Sequence, residues 1–286
     1  MKLLTFGKSG QLARAMQRHM NDPKQARFLS RSEADFSDPA DCAKHVLETD
    51  AEAIVIAAAW TAVDKAETEE AAATCVNATT PGAIAAACAA RGLPLVYVST
   101  DYVFSGQGDR AFAPDDPSAP INAYGRSKWA GEQAIRASGV RHVILRTSWV
   151  VSADGANFVK TMLRLGATRD QLSVVSDQIG APTPAKDLAL AVRIAAQALV
   201  DGAPGGTYHF AGVPDVSWAE FAKEIFAQAG INCAVDPIST RAYPTPAARP
   251  KNSRLDCTSF TREFSLPRPD WRLALAHILS DIGDPS

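Results

Sequence analysis

Apolar residues gather in short runs that alternate with longer amphipathic stretches. Lys2 to Phe6, Arg27 to Leu29, Ala53 to Ala57, Leu93 to Ser99 and Val143 to Leu145 read as strands. The run Ala53 to Ala57 is apolar throughout, as in a strand covered on both faces. Between the runs lie helical patterns. Leu12, Ala15, Met16 and His19 share one side of a first helix, and Asp38 can cap a second with Pro39 in its first turn. An alanine-rich stretch predicts one long helix over about Glu67 to Ala90, and Tyr124 to about Ser138 predicts another. A helix near Asn157 to Leu165, a short strand near Leu172 to Val175 and a helix from Lys186 to Leu199 continue the alternation. Such a sequence of elements predicts an α/β fold, a doubly wound parallel sheet with helices on both faces. Gly106 to Asn122, polar and rich in proline and glycine, predicts a loop. Beyond about Gly205 the texture changes to short elements at Thr207 to Phe210, Trp218 to Gln228 and Val235 to Ile238. The prolines of Tyr243 to Leu255 then hold a stiff, extended segment.

Composition narrows the function classes. At 286 residues the chain exceeds the usual size of one domain, and at 47% hydrophobic it can bury a large core. A net charge of −2 gives no electrostatic case for nucleic acid or an anionic membrane surface. No apolar run approaches the ~20 residues of a membrane span, and Met1 to Phe6 is too short for a signal-peptide core. The five cysteines are scattered, odd in number and without Cys-x-x-Cys spacing, so reduced thiols in a cytoplasmic protein are expected. The five histidines are isolated, and no metal site is expected.

Candidate chemistry begins at Gly7-Lys8-Ser9-Gly10-Gln11-Leu12-Ala13, a glycine turn between a strand and a helix. Gly7 permits the tight turn, Gly10 lets backbone approach a pyrophosphate at the helix N-terminus, and Ala13 is small enough for close helix–strand contact. The same residues also suit an ordinary β–α turn. The next strand ends at Ser30-Arg31-Ser32, with no carboxylate there to bind a ribose 2′-hydroxyl. Arg31 is therefore either a contact for a 2′-phosphate, favouring NADPH while leaving NADH open, or a solvated surface charge. Thr100, at the end of the Leu93 to Ser99 run, would put its hydroxyl into the crevice at the strands' carboxyl ends or satisfy local backbone. Tyr124 and Lys128 are four apart and share a helix face, which brings an ammonium toward a phenol. A nearby positive charge favours the phenolate and suits the phenol to proton transfer. Arg249, Lys251 and Arg254 make either a solvated basic loop or a site for a diphosphate.

Taken together these motifs resemble the extended short-chain dehydrogenase/reductases, and among them the dTDP-4-dehydrorhamnose reductases. The narrower likeness rests on Thr61 to Glu67, Asp177 to Thr183 and Pro244 to Pro250, beside the glycine turn, Ser99 to Phe104, Tyr124 to Lys128 and Arg146 to Trp149. The resemblance implies a Rossmann-type sheet with a smaller C-terminal α/β substrate lobe. Residues 1–150, with contributions from about 172–210, would bind the dinucleotide, and 151–286 would mainly bind substrate. Gly10, Gln11 and Leu12 would line the pyrophosphate after the Gly7 turn, and Asp35 and Phe36 would lie by the adenine, with Arg31 the cofactor contact read above. Ala59, Trp60 and Thr61 would pass beneath the cofactor; Trp60 replaces a smaller aromatic. Thr100, Tyr124 and Lys128 would form the catalytic set, and Val63, Asp101, Trp149 and Arg249 would meet a dTDP-sugar. The implied reaction is NADPH- or NADH-dependent reduction of the C4 ketone of dTDP-4-dehydro-L-rhamnose. A non-catalytic dinucleotide-binding subunit, or a reductase or epimerase of another 4-keto nucleotide sugar, are the alternatives. Some relatives form a dimer bridged by magnesium through glutamates. Ala15 and Lys186 stand at the corresponding places here, so a monomer or weak dimer without a metal bridge is expected.

Overall fold

A computed structural model describes residues 1–19 and 25–283. Residues 20–24 and 284–286, which fall within the two expected lobes, lie outside the described residues. The first part of the chain runs β1 (Leu3–Phe6), α1 (Gln11–Arg18), β2 (Ala26–Leu29), α2 (Pro39–Glu48), β3 (Ala53–Ile56), α3 (Val63–Ala66), α4 (Glu70–Thr74), α5 (Thr80–Arg91), β4 (Leu95–Thr100), α6 (Ala123–Ala137) and β5 (His142–Thr147). There follow β6 (Val150–Val151), α7 (Phe158–Gly166), β7 (Gln171–Val175), β8 (Ile179–Gly180), β9 (Thr183–Pro184), α8 (Ala185–Val200) and β10 (Gly206–His209). The remainder is β11 (Val216–Ser217), α9 (Trp218–Ala229), β12 (Ala234–Ile238), α10 (Thr258–Phe264) and α11 (Trp271–Gly283).

Six strands form one parallel sheet in the order β10-β5-β4-β3-β1-β2. Alternate residues of each strand face opposite layers. Leu3, Val55 and Val96 pack with α1 and α8, whereas Leu4, Ile54 and Tyr97 pack with α2, α5 and α6. The doubly wound parallel sheet expected from the alternation is thus the observed one. Strand order reverses between β1 and β3, which opens a crevice at their carboxyl ends. A further core joins β7, α7, α9 and α11 around Phe221, Trp271, Leu275 and Ile278. α10 and α11 are elements for which the sequence pattern raised no expectation.

The long helix expected over Glu67 to Ala90 is divided. α3 and α4 are separated by a turn, and a π-type turn at Cys75–Thr79 precedes α5. The cause is local. Pro81 has no N–H for the carbonyl four residues back and crowds it. That carbonyl, of Asn77, instead accepts the Tyr97 hydroxyl at 2.8 Å. The Asn77 side chain accepts from Trp60 N at 2.9 Å and donates to Trp60 O and Ser127 Oγ at 3.1 and 2.9 Å. The break therefore fixes the crossover that follows β3 against α6.

A buried ion network ties the sheet to α6. Glu132 accepts from Arg146 Nε and Nη2 at 2.9 and 2.7 Å, from Ser99 Oγ at 2.6 Å and from Arg136 Nη2 at 2.9 Å. Three elements, β4, β5 and α6, meet at that one carboxylate, one helical turn from Lys128.

Candidate active site

A cavity of ≈ 970 Å³ opens at the carboxyl ends of β1, β3, β4 and β5. Gly7, at φ +111°, turns the chain out of β1; a Cβ there would come within 3.0 Å of Ala58 N. Gly10 precedes α1 without a side-chain cap, and space around it is open, so the first N–H groups of the helix are free for an anion. Both glycines, Gln11 and Leu12 line the cavity. This uncapped helix start, at the switch point of the sheet, fits the pyrophosphate of a dinucleotide.

The Gln11 side chain has a task the sequence did not reveal. Its Nε2 donates to Val150 O at 3.1 Å, and its Oε1 accepts from Ser152 Oγ and Asn157 Nδ2, each at 2.9 Å. The chain between Ser152 and Asn157 is thereby strapped to α1, and its Gly155 and Ala156 line the cavity. Arg18 grips Asp154 through two bonds of 2.5 and 2.8 Å, with Arg14 at 3.6 Å.

Arg31, Asp35 and Phe36 line the cavity beyond the glycine turn. Phe36 is buried edge-on against Phe6, while Arg31 is 88% exposed and 3.7 Å from Asp35. Ala59, Trp60, Thr61 and Val63 line it after β3. Trp60 Nε1 donates to Ala62 O at 3.1 Å.

Thr100, Asp101, Tyr124 and Lys128 meet at the cavity's inner wall. Asn122 caps α6 by accepting from Gly125 N at 2.8 Å, which sets Tyr124 in the first turn. Burial raises the Tyr124 phenol above its ordinary range; the Thr100 hydroxyl beside it acts the other way, and Asp101 adds to the rise. Thr100 Oγ1 donates to Asp101 Oδ1 at 3.0 Å and accepts from Tyr102 N at 3.2 Å. Burial pushes the Asp101 carboxyl up to about 6, with the nearby Ser253 and Thr100 hydroxyls opposing the rise.

Lys128 lines the same wall from deep within the fold. It is 1% exposed, its Nζ donates to Val98 O at 2.8 Å, and it sits 3.9 Å from the centroid of the Tyr97 ring. Burial lowers its pKa to about 7, and Glu132 opposes the fall. The Thr100 hydroxyl draws the phenol down. Four residues is a rise of ~6 Å, so a shared helix face alone does not put an ammonium on a phenol oxygen.

Trp149 stacks on Trp218 with centroids 3.4 Å apart, and both line the cavity. Arg249 stands apart from the other expected residues. It lines a neighbouring cavity of ≈ 380 Å³ with Lys251 and Ser105. Its Nη2 donates to Asp64 Oδ2 at 2.7 Å, and Ala247 N donates to the other carboxylate oxygen at 3.1 Å. Lys251 pairs with Asp177 at 3.1 Å and Arg254 with Asp215 at 3.6 Å. Each cation of the basic segment is thus matched by a carboxylate distant in sequence, an arrangement that its local charge pattern did not show. Trp218 and the 152–157 strap are the site features that the sequence reading missed. An aromatic in an amphipathic helix reads as core. Only Asn157, a helix cap beside Gly155, hinted at an ordered loop.

The parallel sheet, the glycine turn at its switch point and the Thr100, Tyr124 and Lys128 group define a protein of the extended short-chain dehydrogenase/reductase class. Within that class, the chain belongs to the RmlD substrate binding domain family, which it matches over residues 1–283. It is similar to the dTDP-4-dehydrorhamnose reductase of Sinorhizobium fredii, 41% identical over 278 residues that span 95% of this chain and 94% of the relative. It superposes on the crystal structure of a dTDP-4-dehydrorhamnose reductase from Clostridium acetobutylicum with a TM-score of 0.93 at 35% identity, covering 99% of this chain and 100% of the other. The corresponding Bacillus anthracis enzyme, whose structure is a complex with NADP, gives 0.91 at 36% identity over 98% of this chain and all, 100%, of that one.

Proposed function

We propose that this protein reduces the C4 ketone of dTDP-4-dehydro-L-rhamnose to give dTDP-L-rhamnose, using NADPH, with NADH the alternative hydride donor. The reading is supported chiefly by one juxtaposition: the Thr100 hydroxyl and Tyr124 phenol lie in the same cavity as the uncapped start of α1. A reduced nicotinamide, when bound, supplies hydride to the ketone carbon. Gly7, Gly10, Gln11 and Leu12 would hold the pyrophosphate, Arg31, Asp35 and Phe36 the adenosine end, and Ala59, Trp60 and Thr61 the remainder. Tyr124 gives its proton to the C4 oxygen as charge grows there, and Thr100 hydrogen-bonds the same oxygen. Burial keeps the phenol protonated until that charge appears. Lys128 anchors the nicotinamide ribose, for which its ammonium must exchange the Val98 carbonyl for a ribose hydroxyl. Val63, Asp101 and Trp149 orient the sugar. Arg249 reaches the nucleotide diphosphate, an interaction that competes with Asp64.

In this reading residues 1–150, with strand and helix from about 172–210, form the dinucleotide unit, and 151–286 chiefly form the sugar-nucleotide lobe. We place the protein in the cytoplasm, where its five free cysteines would persist. Among the described residues no helix is long and apolar enough to cross a membrane. We also expect no metal bridge between copies.

The experiment is turnover of the dTDP-4-keto sugar followed by loss of reduced-nicotinamide absorbance. Tyr124→Phe is expected to lose about 10²- to 10⁴-fold in kcat with dinucleotide affinity intact. Full activity in that variant removes the proton donor from the scheme. A wild-type protein that binds dinucleotide but turns over no 4-keto nucleotide sugar is instead the binding subunit of the alternative reading.

A further inference from the structure

We propose that Glu33 sets the balance between NADPH and NADH by occupying the hydrogen-bond donors that a ribose 2′-phosphate would use. The inference rests on the reading of the cavity as a reduced-dinucleotide site. The segment directly after β2, Ser30-Arg31-Ser32, carries no carboxylate. The fold supplies one. Glu33 N and Ala34 N both donate to Ser30 O, at 3.1 and 3.0 Å, and this tight turn brings the Glu33 side chain back onto the strand end. Its Oε2 accepts from Ser30 N at 2.9 Å and from Ser30 Oγ at 2.7 Å, with Lys8 Nζ at 3.9 Å. The Ser30 and Ser32 hydroxyl oxygens are 3.0 Å apart. Lys8, Ser30 and Arg31 all line the cavity. Bonds from Ser30 hold the carboxyl below its ordinary range, so it is ionised at neutral pH.

An N–H, a hydroxyl, an ammonium and a guanidinium are the groups that a 2′-phosphate needs. Ser30 and Lys8 provide three of these and are engaged by Glu33, whereas Arg31 is exposed and only loosely paired. An ionised carboxylate and a phosphate are both acceptors and repel, so they cannot share the Ser30 donors. A 2′-hydroxyl bears no charge to be repelled and needs none of these donors, so Glu33, which acts from behind the lining residues Lys8 and Ser30, bears on NADPH more than on NADH. Arg31 thus favours NADPH, and Glu33 narrows the advantage.

The test measures dissociation constants for NADPH and NADH by nucleotide fluorescence on purified protein, without sugar substrate. Glu33→Gln is expected to tighten NADPH roughly fivefold to tenfold, as for removal of one repelling charge at a half-exposed site, and to leave NADH unchanged or weaker. Arg31→Ala is expected to weaken NADPH alone. Equal shifts for both nucleotides in Glu33→Gln, or no shift in either, overturn the proposal. Wild-type protein that binds neither nucleotide would remove the cavity assignment itself.

Discussion

Lys128 is an amine placed where water barely reaches it. Its folded pKa of about 7 lies below the ordinary 10.5 because burial penalises the charge. Between those values the unfolded chain holds the proton and the folded chain has lost it, so stability rises with pH across that window. Lys128→Met removes the effect. The difference in unfolding free energy between variant and wild type should therefore grow as pH falls from ~10 to ~7 and level off below. Urea unfolding of the dinucleotide-free protein at a series of pH values measures it; a difference that stays constant would mean the ammonium is not desolvated. The Tyr124–Lys128 spacing was readable along one helix. The lysine's contacts, Val98 and Tyr97, come from a strand some thirty positions earlier, and only the packing of α6 on β4 brings them together. Arg249 illustrates the same limit, because Asp64 lies on the far side of the sequence from it.

Strands were the most legible elements, since burial on both faces forces an unbroken apolar run. Helices were legible by periodicity but not by continuity. The alanine pattern from Glu67 onward carries no mark of the π-type turn, which depends on Tyr97 accepting the role that the missing Pro81 N–H leaves open. Loops were the least legible. The strap over 152–157 is held by a glutamine on α1 and by Arg18 and Arg14 on the same helix. Asp154→Ala should release it and leave α1 intact. Dinucleotide affinity is expected to fall about threefold to tenfold, through a faster dissociation rate in stopped-flow chase experiments. An unchanged rate would show that the strap does not retain the ligand.

For the molecule as a whole, surface charge bears on assembly. Ala15 is buried, and Lys186 is exposed near His19, whose pKa is lowered first by burial and then by Lys186, Arg18 and Arg193. Asp187 opposes that lowering and Arg18 is spent on Asp154, so the two positions themselves decide: an alanine methyl and an ammonium offer a divalent cation no oxygen ligand. Sedimentation velocity should return the same mass in excess magnesium and in chelator. A mass that halves on chelation would restore the metal bridge.

The sheet ends on one side at β10, a short strand drawn from Gly206–His209 that covers the longer, buried β5. During synthesis, β5 must therefore wait at a bare edge while some sixty further residues are translated. Unpaired edges of that kind recruit other chains. A ribosome stalled before Gly206 would release a protein with the glycine turn and reaction centre already made, but with an open seam. Such fragments should clump with one another, and adding back the missing strand as a peptide should quiet them.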